Sequence, residues 1–516
     1  MQSRNPFFVI LAVSLLMLLF SACDYPGSTE RPANTGCDSG FPGTDDTGDD
    51  TDTQTTDNGT DTGTEDAGDD TDTQDTNDGT DDSSDDGTDA SDSGGTGTAQ
   101  ITLNGTSITV DGTGATASNS TVTISSAGTY NISGTLSDGQ IVVDTDSTEL
   151  VELVLNGVDI HNSSSSPINI VTAEDVNIVL AAGTQNSLSD GSSYVFTDGT
   201  DEPDATLFSS EDLTIQGEGS LTVDANYNNG IKSKDKLVIE AGNITVNSVD
   251  DAIVGKDFVR VEGGSITVDA EGDGLKSTED EDAEKGYVSI DGGQLNINSG
   301  ADAIQAETYM AVSAGEINIT SGGGSQANIG TDDSAKGLKA STTITITGGT
   351  LDINAADDAI NANQGVVIND GTLGISTKDD AIHGDATVTI EGGDIDIETS
   401  SEGIEGSSIQ LNNGNINIYA TDDGVNATGQ NSGSNVIEIN GGIIFVKVGS
   451  GDTDAFDSNG DIYINDGTID VEANSAFDFN GVGQLNGGTV TVNGQVITEL
   501  TNSMGPGPGG GGGGWF

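Results

Sequence analysis

Three gapless copies of a 22-residue unit lie between Ala335 and Ser400 of this 516-residue chain. They are AKGLKASTTITITGGTLDINAA, DDAINANQGVVINDGTLGISTK and DDAIHGDATVTIEGGDIDIETS. Gly337, Ala359 and Ala381 hold the same place in each copy, so the period is fixed. A fixed period of this size is typical of a chain that stacks one structural unit on the next.

Each copy carries three short apolar clusters, and two of them alternate with polar residues. In the first copy the alternating clusters are Ile344 with Ile346 and Leu351 with Ile353. A period of two predicts a half-buried strand rather than a helix. A Gly-Gly or Asp-Gly turn stands before the last cluster of each copy. One such coil cannot bury its own apolar residues, whereas stacked coils can, so the pattern predicts an all-β parallel β-helix.

The unit extends over most of the chain. A Gly or Ala before an apolar residue recurs from Gly230 to Ala476, mostly in steps of about 22 residues. The longer steps contain polar insertions, which are expected to form loops on one side of the β-helix. Alternating segments from Ile101 to Ile132 predict an N-terminal β cap. We expect a β-helix domain at 99–500 with about 22 residues and three short strands per coil, then a flexible Gly-rich tail at 501–516.

Residues 1–23 have the features of a bacterial lipoprotein signal peptide. An apolar run from Phe7 to Phe20 precedes Ser21-Ala22-Cys23 and is too short for a comfortable membrane span. Lipid on Cys23 would anchor the chain to a membrane without crossing it. The prediction is a secreted lipoprotein displayed at the cell surface; plain secretion with Cys23 unused is the alternative.

Residues 24–98 predict a disordered tether that is rich in Asp, Thr and Gly. The formal net charge of the whole chain is −73, and the folded part is acidic as well. This charge excludes nucleic acid as a partner. Cys37 is the only cysteine besides Cys23, so a disulfide framework and a cysteine-based metal site are excluded from the folded part.

Acidic residues stand directly before the Gly or Ala of many coils. Stacked at the strand spacing of about 4.8 Å, their charges repel one another, and calcium with its oxygen ligands relieves that repulsion. The alternative is that these side chains accept hydrogen bonds in turns and face water. The candidate calcium ligands are Asp250, Asp251, Asp273, Asp302, Asp357, Asp358, Asp379, Asp380, Asp422, Asp423 and Asp454.

The same column holds Lys276, Lys339 and His383, which are candidate substrate-binding residues. A lysine with a lowered pKa could serve as the base of a polysaccharide lyase. Salt bridges along the ladder are the preferred interpretation, and no catalytic residue is assigned.

Aromatic residues make up only 4% of the chain, which gives weak support to a stacking platform for a neutral glycan. Five tyrosines are candidates, whereas four phenylalanines near the C-terminal end are expected in the core. The tyrosines are Tyr227, Tyr287, Tyr309, Tyr419 and Tyr463, and the phenylalanines are Phe445, Phe456, Phe477 and Phe479.

Several motifs in order resemble one family. They are NISGTLSDGQIVV, LVLNGVDI, SSEDLTIQGEGSLTVDANYNNGIKSKDKLVIEAGNITV and VDDAIVGKDFVRVEGGSITVDAEGDGLKS. They resemble the bacterial extracellular proteins known as carbohydrate-binding domain-containing proteins, from about Gly128 to the tail. The resemblance implies a right-handed parallel β-helix similar to pectate lyases. It also implies calcium sites and the binding of cell-wall glycans, acidic pectin-type chains and cellulose, without established catalysis.

The expected function is therefore calcium-dependent polysaccharide binding by a monomer at the cell surface, with acidic glycans favoured. Two alternatives remain open. A calcium-dependent lyase would release unsaturated sugars, and a structural or adhesive surface rod would show no preference for any glycan.

Overall fold

The computed structural model describes residues 97–196, 199–429, 435–451 and 453–502. Within these ranges the chain forms 45 β-strands and no helix, which agrees with the predicted all-β class. No described segment has the helical length and apolar character needed to span a bilayer. The predicted signal peptide with Cys23, the tether up to Thr96 and the tail from Ser503 lie outside the described residues.

The strands are short and follow one another along the whole described chain. The first ten are β1 (Gly97–Gly105), β2 (Ile108–Thr113), β3 (Ala115–Ser118), β4 (Thr121–Ile124), β5 (Gly128–Leu136), β6 (Gln140–Asp144), β7 (Val151–Asn162), β8 (Ile168–Thr172), β9 (Asp175–Leu180) and β10 (Gln185–Asp190). The next fifteen are β11 (Ala205–Ser209), β12 (Asp212–Gly217), β13 (Ser220–Ala225), β14 (Asn229–Ser233), β15 (Lys236–Ile239), β16 (Asn243–Ser248), β17 (Ile253–Gly255), β18 (Phe258–Val261), β19 (Ser265–Ala270), β20 (Leu275–Ser277), β21 (Tyr287–Ile290), β22 (Gln294–Ser299), β23 (Ile304–Ala306), β24 (Met310–Val312) and β25 (Glu316–Ser321). The last twenty are β26 (Leu338–Ala340), β27 (Thr343–Ile346), β28 (Thr350–Ala355), β29 (Ile360–Ala362), β30 (Gly365–Ile368), β31 (Thr372–Thr377), β32 (Ile382–Ile390), β33 (Asp394–Ser400), β34 (Ile404–Leu411), β35 (Asn415–Ala420), β36 (Val425–Ala427), β37 (Val436–Ile439), β38 (Ile443–Val448), β39 (Asp454–Ser458), β40 (Asp461–Ile464), β41 (Thr468–Glu472), β42 (Ser475–Phe479), β43 (Gly483–Leu485), β44 (Thr489–Val492) and β45 (Gln495–Val496).

These strands stack into a parallel β-helix of about 15 turns. Each regular coil contributes one strand to each of three parallel sheets, as β14, β15 and β16 do in one coil and β17, β18 and β19 in the next. We call the sheet that contains β14 sheet 1, the one that contains β15 sheet 2 and the one that contains β16 sheet 3. The predicted parallel β-helix with three short strands per coil is therefore confirmed.

The core consists of apolar columns that run along the helix axis. In sheet 1 the position of Ile231 is occupied in the following coils by Ile253, Leu275 and Ile304, and all four are fully buried. Near the C-terminal end the same column passes through Phe456 and Phe477, whose rings stack at 5.5 Å. Because each inward side chain rests on its equivalent in the next coil, every coil is buried by its neighbours.

Close packing explains the Gly or Ala that precedes each strand of sheet 1. A Cβ atom on Gly337 would lie 2.5 Å from Ile353 Cγ2, and one on Gly230 would lie 2.3 Å from Val246 Cγ1. The turn between sheets 2 and 3 requires glycine for a different reason. Gly349 there has φ 95°, a left-handed backbone conformation that other residues rarely adopt.

The N-terminal end is covered by antiparallel strands. β1 pairs with β2 in antiparallel fashion and with β5 in parallel fashion, so it joins both arrangements. Ile108 and Val110 of β2 pack against the buried core. These contacts shield apolar residues that an open first coil would expose to water.

The insertions lie at two corners of the helix, whereas the sequence predicted one side. The segment after β20 joins sheet 1 to sheet 2, and the segment after β25 joins sheet 3 to sheet 1. The period shows where residues are inserted, but it does not show at which corner they leave the coil.

Candidate functional site: an acidic ladder along one corner

The acidic residues before each Gly or Ala form a ladder along the corner between sheet 3 and sheet 1. Their backbone carbonyls accept hydrogen bonds from the Gly or Ala of the preceding coil. Gly230 N donates to Asp251 O at 3.0 Å, and Ala252 N donates to Asp273 O at 2.9 Å. This regular backbone bonding holds the acidic side chains in register from coil to coil.

One carboxylate oxygen of several ladder residues bonds the backbone of the next coil. Asp251 Oδ1 accepts from Asp273 N at 2.8 Å, and Asp273 Oδ1 accepts from Asp302 N at 2.9 Å. Asp358 and Asp423 repeat this pattern with the next ladder residue, at 3.1 and 2.7 Å. The turn hydrogen bonds that the sequence left as an alternative are thus present, and they use only one oxygen of each carboxylate.

From Asp250 to His383, which we call the neutralised end, most of the ladder carboxylates have an oxygen in contact with a cationic side chain. Lys276 Nζ lies 3.0 Å from Asp251 Oδ2 and 2.8 Å from Asp273 Oδ2. Lys339 Nζ lies 2.7 Å from Asp302 Oδ2. These contacts bring Lys276 and Lys339 together with the predicted acidic ligands.

Lys336 is a further cation of the neutralised end, and its role was missed in the sequence. Its Nζ lies 3.0 Å from Asp357 Oδ1 and 2.6 Å from Asp358 Oδ2. Burial favours neutral Asp358 and raises the pKa of its carboxyl, while the charge of Lys336 opposes that rise. The available signal was that Lys336 directly precedes Gly337, where most coils carry an acidic residue.

His383 joins the ladder at the middle of the corner. Its Nδ1 lies 3.3 Å from Asp380 Oδ2, and its Nε2 lies 3.3 Å from Asp385 Oδ1. Burial works against the charged ring, but the hydrogen bond to Asp380 and the charge of Asp358 outweigh it and raise the pKa of His383. The protonated imidazole therefore acts as a counter-ion in the way that the lysines do.

From Glu402 to Asp478, which we call the acidic end, the ladder has no basic residue in its column. The only Lys, Arg or His after His383 in the sequence is Lys447, and it bonds Glu472 at 3.0 Å. Where the two ends meet, carboxylate oxygens of Asp380, Glu402 and Glu405 lie within 4.8 Å of one another, and those of Asp357, Asp358 and Asp379 do so within the neutralised end, beside Lys336. The two ends of one ladder thus differ in how their charge is balanced.

Three carboxyl groups of the acidic end, those of Asp423, Asp457 and Glu405, have raised pKa values. Burial raises the pKa of Asp423 to about 7 and that of Asp457 to about 6, and neighbouring carboxylates add to both shifts. Burial and the adjacent Glu402 raise the pKa of Glu405 as well. Without a cation, full ionisation of this cluster is unfavourable.

Two buried oxygens in the same column lack a protein partner. In register, Asn426 lies beside Asp457, and Asp457 lies beside Asp478. Asn426 Oδ1 and Asp478 Oδ1 are buried without a hydrogen bond, and Asn426 is only 8% exposed. Amide and carboxylate oxygens are the ligands that calcium prefers, so the donor set on both sides of Asp457 fits a hard divalent cation.

The predicted ligands therefore fall into two groups. The larger group lies at the neutralised end, where cationic side chains contact all of its members except Asp250 and Asp379: Asp250, Asp251, Asp273, Asp302, Asp357, Asp358, Asp379 and Asp380. Asp422, Asp423 and Asp454 lie at the acidic end. Glu405 and Asp478 were missed there, although both stand two residues after the Gly or Ala position, as His383 does.

The aromatic candidates have different surroundings. Phe258, Tyr287 and Tyr309 stack on one another along sheet 2, with ring centroids 4.8 Å apart, so their ring faces are largely covered. The predicted core location of Phe445 is wrong, because its side chain lies on the outer side of β38. The centroid of its ring lies 5.6 Å from the centroid of the Tyr419 ring. The run Ile443-Ile444-Phe445-Val446 does not alternate, so the sequence did not show which residues face the core.

Comparisons with known proteins identify the family of this chain. The sequence pattern of the family described as carbohydrate-binding domain-containing protein matches residues 118–381 and 370–496. A carbohydrate-binding domain-containing protein of Acetivibrio thermocellus is 41% identical over 128 residues, which are 25% of this chain and 45% of that relative. The chain thus matches less than half of that relative's length.

A solved structure of the polysaccharide lyase-like protein from C. thermocellum, in a gadolinium derivative, is also similar. It is 32% identical, covers 57% of this chain and 96% of its own, and superposes with a TM-score of 0.41. The family pattern spans most of the β-helix, and the chain belongs to the family of carbohydrate-binding domain-containing proteins.

Proposed function

We propose that this protein binds acidic polysaccharide through calcium held at the acidic end of its ladder. The observation that carries the proposal is the pair of buried, unpartnered oxygens of Asn426 and Asp478 on either side of Asp457. A buried oxygen without a partner destabilises the fold, and a bound cation removes that cost. Family membership supports carbohydrate as the ligand class.

Charge favours an acidic glycan as the ligand that needs calcium. The chain carries 86 acidic and 13 basic residues, so a polyanion is repelled unless cations lie between the two. Calcium takes six to eight oxygen ligands, and those that the ladder does not supply are free for carboxylates of a glycan. Asn426, Asp457 and Asp478 would hold the ion, and the glycan would complete its shell.

The geometry gives no support to the lyase alternative. A general base must be unprotonated, yet Lys276 lies between two carboxylates. Burial lowers its pKa, but the hydrogen bond and charge of Asp273 outweigh burial and leave the pKa raised. Lys339 contacts Asp302 at 2.7 Å, which holds it as a counter-ion.

Co-sedimentation with insoluble polygalacturonate tests the proposal. The full-length chain is expected to pellet with calcium and to stay in solution with a chelator. Asp457→Asn is expected to weaken calcium-dependent pelleting, because it removes a charged ligand from the centre of the donor set. Asp291→Asn is the matched control, because Asp291 does not belong to the ladder. Its Oδ2 lies 2.8 Å from Arg260 Nε.

Other outcomes would contradict the proposal. Unsaturated sugar in the supernatant would show a lyase and direct attention back to the lysines. If the chain pelleted in neither condition, acidic glycan binding would be wrong and the structural rod would be favoured. If Asp291→Asn lost binding as strongly as Asp457→Asn, the loss would reflect net charge rather than a calcium site.

We further propose that the domain is displayed at the cell surface through lipid on Cys23 and the acidic tether. The motif Ser21-Ala22-Cys23 after an apolar run supports this anchor. Cys23→Ser is expected to move the chain from the membrane fraction to the medium. A variant that remained in the membrane fraction would argue against the lipid anchor.

A further inference from the structure

The two ends of the β-helix are covered to different extents. At the N-terminal end, β1 pairs with β2 and β3 pairs with β4, both in antiparallel fashion. At the C-terminal end, the antiparallel strand β45 has only two residues and pairs with β44. Strands β42 and β43 pair with β39 and β40 on one side, and no strand of the described ranges pairs with them on the other.

Core positions of the last coil are partly exposed, although the same positions are fully buried one coil earlier. Leu485 lies in register with Ile464, and Val492 lies in register with Val471. Ile464 and Val471 have no exposed surface, whereas Leu485 and Val492 are only partly buried. The difference arises because a coil is buried by the next one, and the described chain contains no coil after this one.

Further apolar side chains extend this exposed area. Val482 directly precedes β43 and is 45% exposed, and Val496 ends β45 and is 68% exposed. Phe479, at the end of β42, is partly buried against the core. Together with Leu485 and Val492 these residues form what we call the end surface. A contiguous apolar area of this kind indicates that another group covers it.

The rest of the chain starts from the end surface. Asn502, the last described residue, donates from Nδ2 to Phe479 O at 2.6 Å. Residues 503–516 read SMGPGPGGGGGGWF and contain no charged residue, although the net charge of the whole chain is −73. Their aromatic side chains are Trp515 and Phe516, which follow six consecutive glycines. An uncharged segment that ends in two large apolar rings matches an apolar surface.

The length of this segment allows the rings to return to the end surface. Trp515 lies 13 residues after Asn502. A Gly-rich linker of that length has an r.m.s. end-to-end distance of roughly 20 Å. A group tethered in this way has an effective concentration on the order of millimolar. A second copy of the chain at micromolar concentration cannot compete with it, so the chain's own segment is the favoured occupant.

We propose that Trp515 and Phe516 fold back onto the end surface and close the C-terminal end of the β-helix, an arrangement that we call the aromatic cap. Burial of the two rings against Val482, Leu485 and Val496 removes apolar surface from water on both sides of the contact. The aromatic cap thus shields the last coil as the antiparallel strands shield the first. It goes beyond the proposed function, because it involves neither glycan nor calcium.

Fluorescence tests the aromatic cap directly, because Trp515 is the only tryptophan of the chain. For the full-length chain in chelator, the emission maximum is expected at a shorter wavelength than for the chain unfolded in guanidinium chloride. Acrylamide is expected to quench this emission less than that of free N-acetyltryptophanamide. The double variant Val482→Asp/Val496→Asp is expected to lose both differences, because it places charges where the rings would pack.

Val195→Asp/Ile443→Asp is the matched control. It adds the same charge at side chains of earlier coils that are 73% and 62% exposed, and it is expected to keep the emission and quenching of the wild type. Wild-type emission equal to that of the unfolded chain would overturn the inference. Emission that Val482→Asp/Val496→Asp leaves unchanged would overturn it as well, since the tryptophan would then lie elsewhere.

Trp515→Ser/Phe516→Ser provides a second measurement and alters no described residue. It is expected to lower the thermal midpoint in chelator, because the end surface is left exposed to water, whereas Met504→Ser is expected to leave the midpoint unchanged. Equal midpoints for all three chains would contradict the aromatic cap.

Dilution distinguishes the chain's own segment from a second copy. The wild-type emission is expected to be independent of protein concentration. If it shifted to longer wavelength on dilution, in step with dissociation of a dimer seen by analytical ultracentrifugation, the rings would cover the end of a second copy and the inference would be wrong. Since chelator is present and glycan is absent, neither result depends on the polygalacturonate experiment.

Discussion

At the scale of single residues, the two oxygens of a ladder carboxylate have separate roles. Asp273 Oδ1 accepts the N–H of Asp302 in the next coil, while Oδ2 contacts Lys276. Asp251 divides its oxygens between the backbone of Asp273 and Lys276 in the same way. A backbone bond and a counter-ion therefore act on one side chain without competing for one atom.

Lys276→Met is expected to destabilise the fold by about 2–3 kcal/mol, because it leaves two mostly buried carboxylates without a counter-ion. The measurement is the shift of the denaturation midpoint in chelator. Adding Asp251→Asn to Lys276→Met is expected to recover part of the loss. A double variant less stable than Lys276→Met alone would contradict this account of the charge balance.

At the scale of elements, the sequence predicted the coil better than it predicted the site. The period of 22 and the alternation of Ile344 with Ile346 identify strands that stack, because burial by the next copy repeats in every coil. Lys336 was missed because most other coils carry an acidic residue at its position, directly before the Gly or Ala. Phe445 was misplaced because a continuous apolar run has no period from which its outward face can be read.

The Gly or Ala position before sheet 1 offers a test of coil packing. Gly337→Ala is expected to cost about 1–3 kcal/mol, because the added Cβ would lie 2.5 Å from Ile353 Cγ2. Gly374→Ala is the matched control, since a Cβ there meets no atom within 4 Å. The measurement is the thermal midpoint of each variant. Equal midpoints for the two variants would show that the core around Gly337 can rearrange to accommodate the added Cβ.

At the scale of the whole molecule, the charge balance changes along the helix axis. The N-terminal part of the ladder contains its own cations, whereas the part from Glu402 onward does not. Individual acidic residues were visible in the sequence, but this division depends on which lysine reaches which carboxylate across coils. Such contacts link residues separated by about one period or more, so composition alone could not reveal them.

This asymmetry predicts how stability depends on pH. In the fold, the pKa of Asp423 rises from 3.8 to about 7, and that of Asp457 rises to about 6. Since the folded chain holds these protons more tightly than the unfolded chain, their stabilising contribution is full below the unfolded pKa and is lost as the pH rises through the folded values. In chelator, the thermal midpoint is therefore expected to fall between about pH 4 and pH 7.

Calcium is expected to reverse this fall, because it binds the ionised carboxylates and stabilises the folded chain by mass action. Differential scanning calorimetry across that pH range, with calcium and with chelator, provides the measurement. Asp423→Asn is expected to flatten the profile in chelator. A thermal midpoint that does not change with pH in chelator would contradict the prediction.

The division between the two oxygens also bears on how such chains diverge. Because Oδ1 of Asp251 or Asp273 secures the adjacent coil, the species that contacts Oδ2 can change without any change in the path of the backbone. Under the proposed calcium binding, a single substitution in the outward column, from a lysine as at Lys276 to an amide as at Asn426, would change the cation that balances a coil from an ammonium group to a metal ion. Coils that derive from one repeat would then acquire or lose dependence on a metal one at a time, while the path of the backbone stays the same.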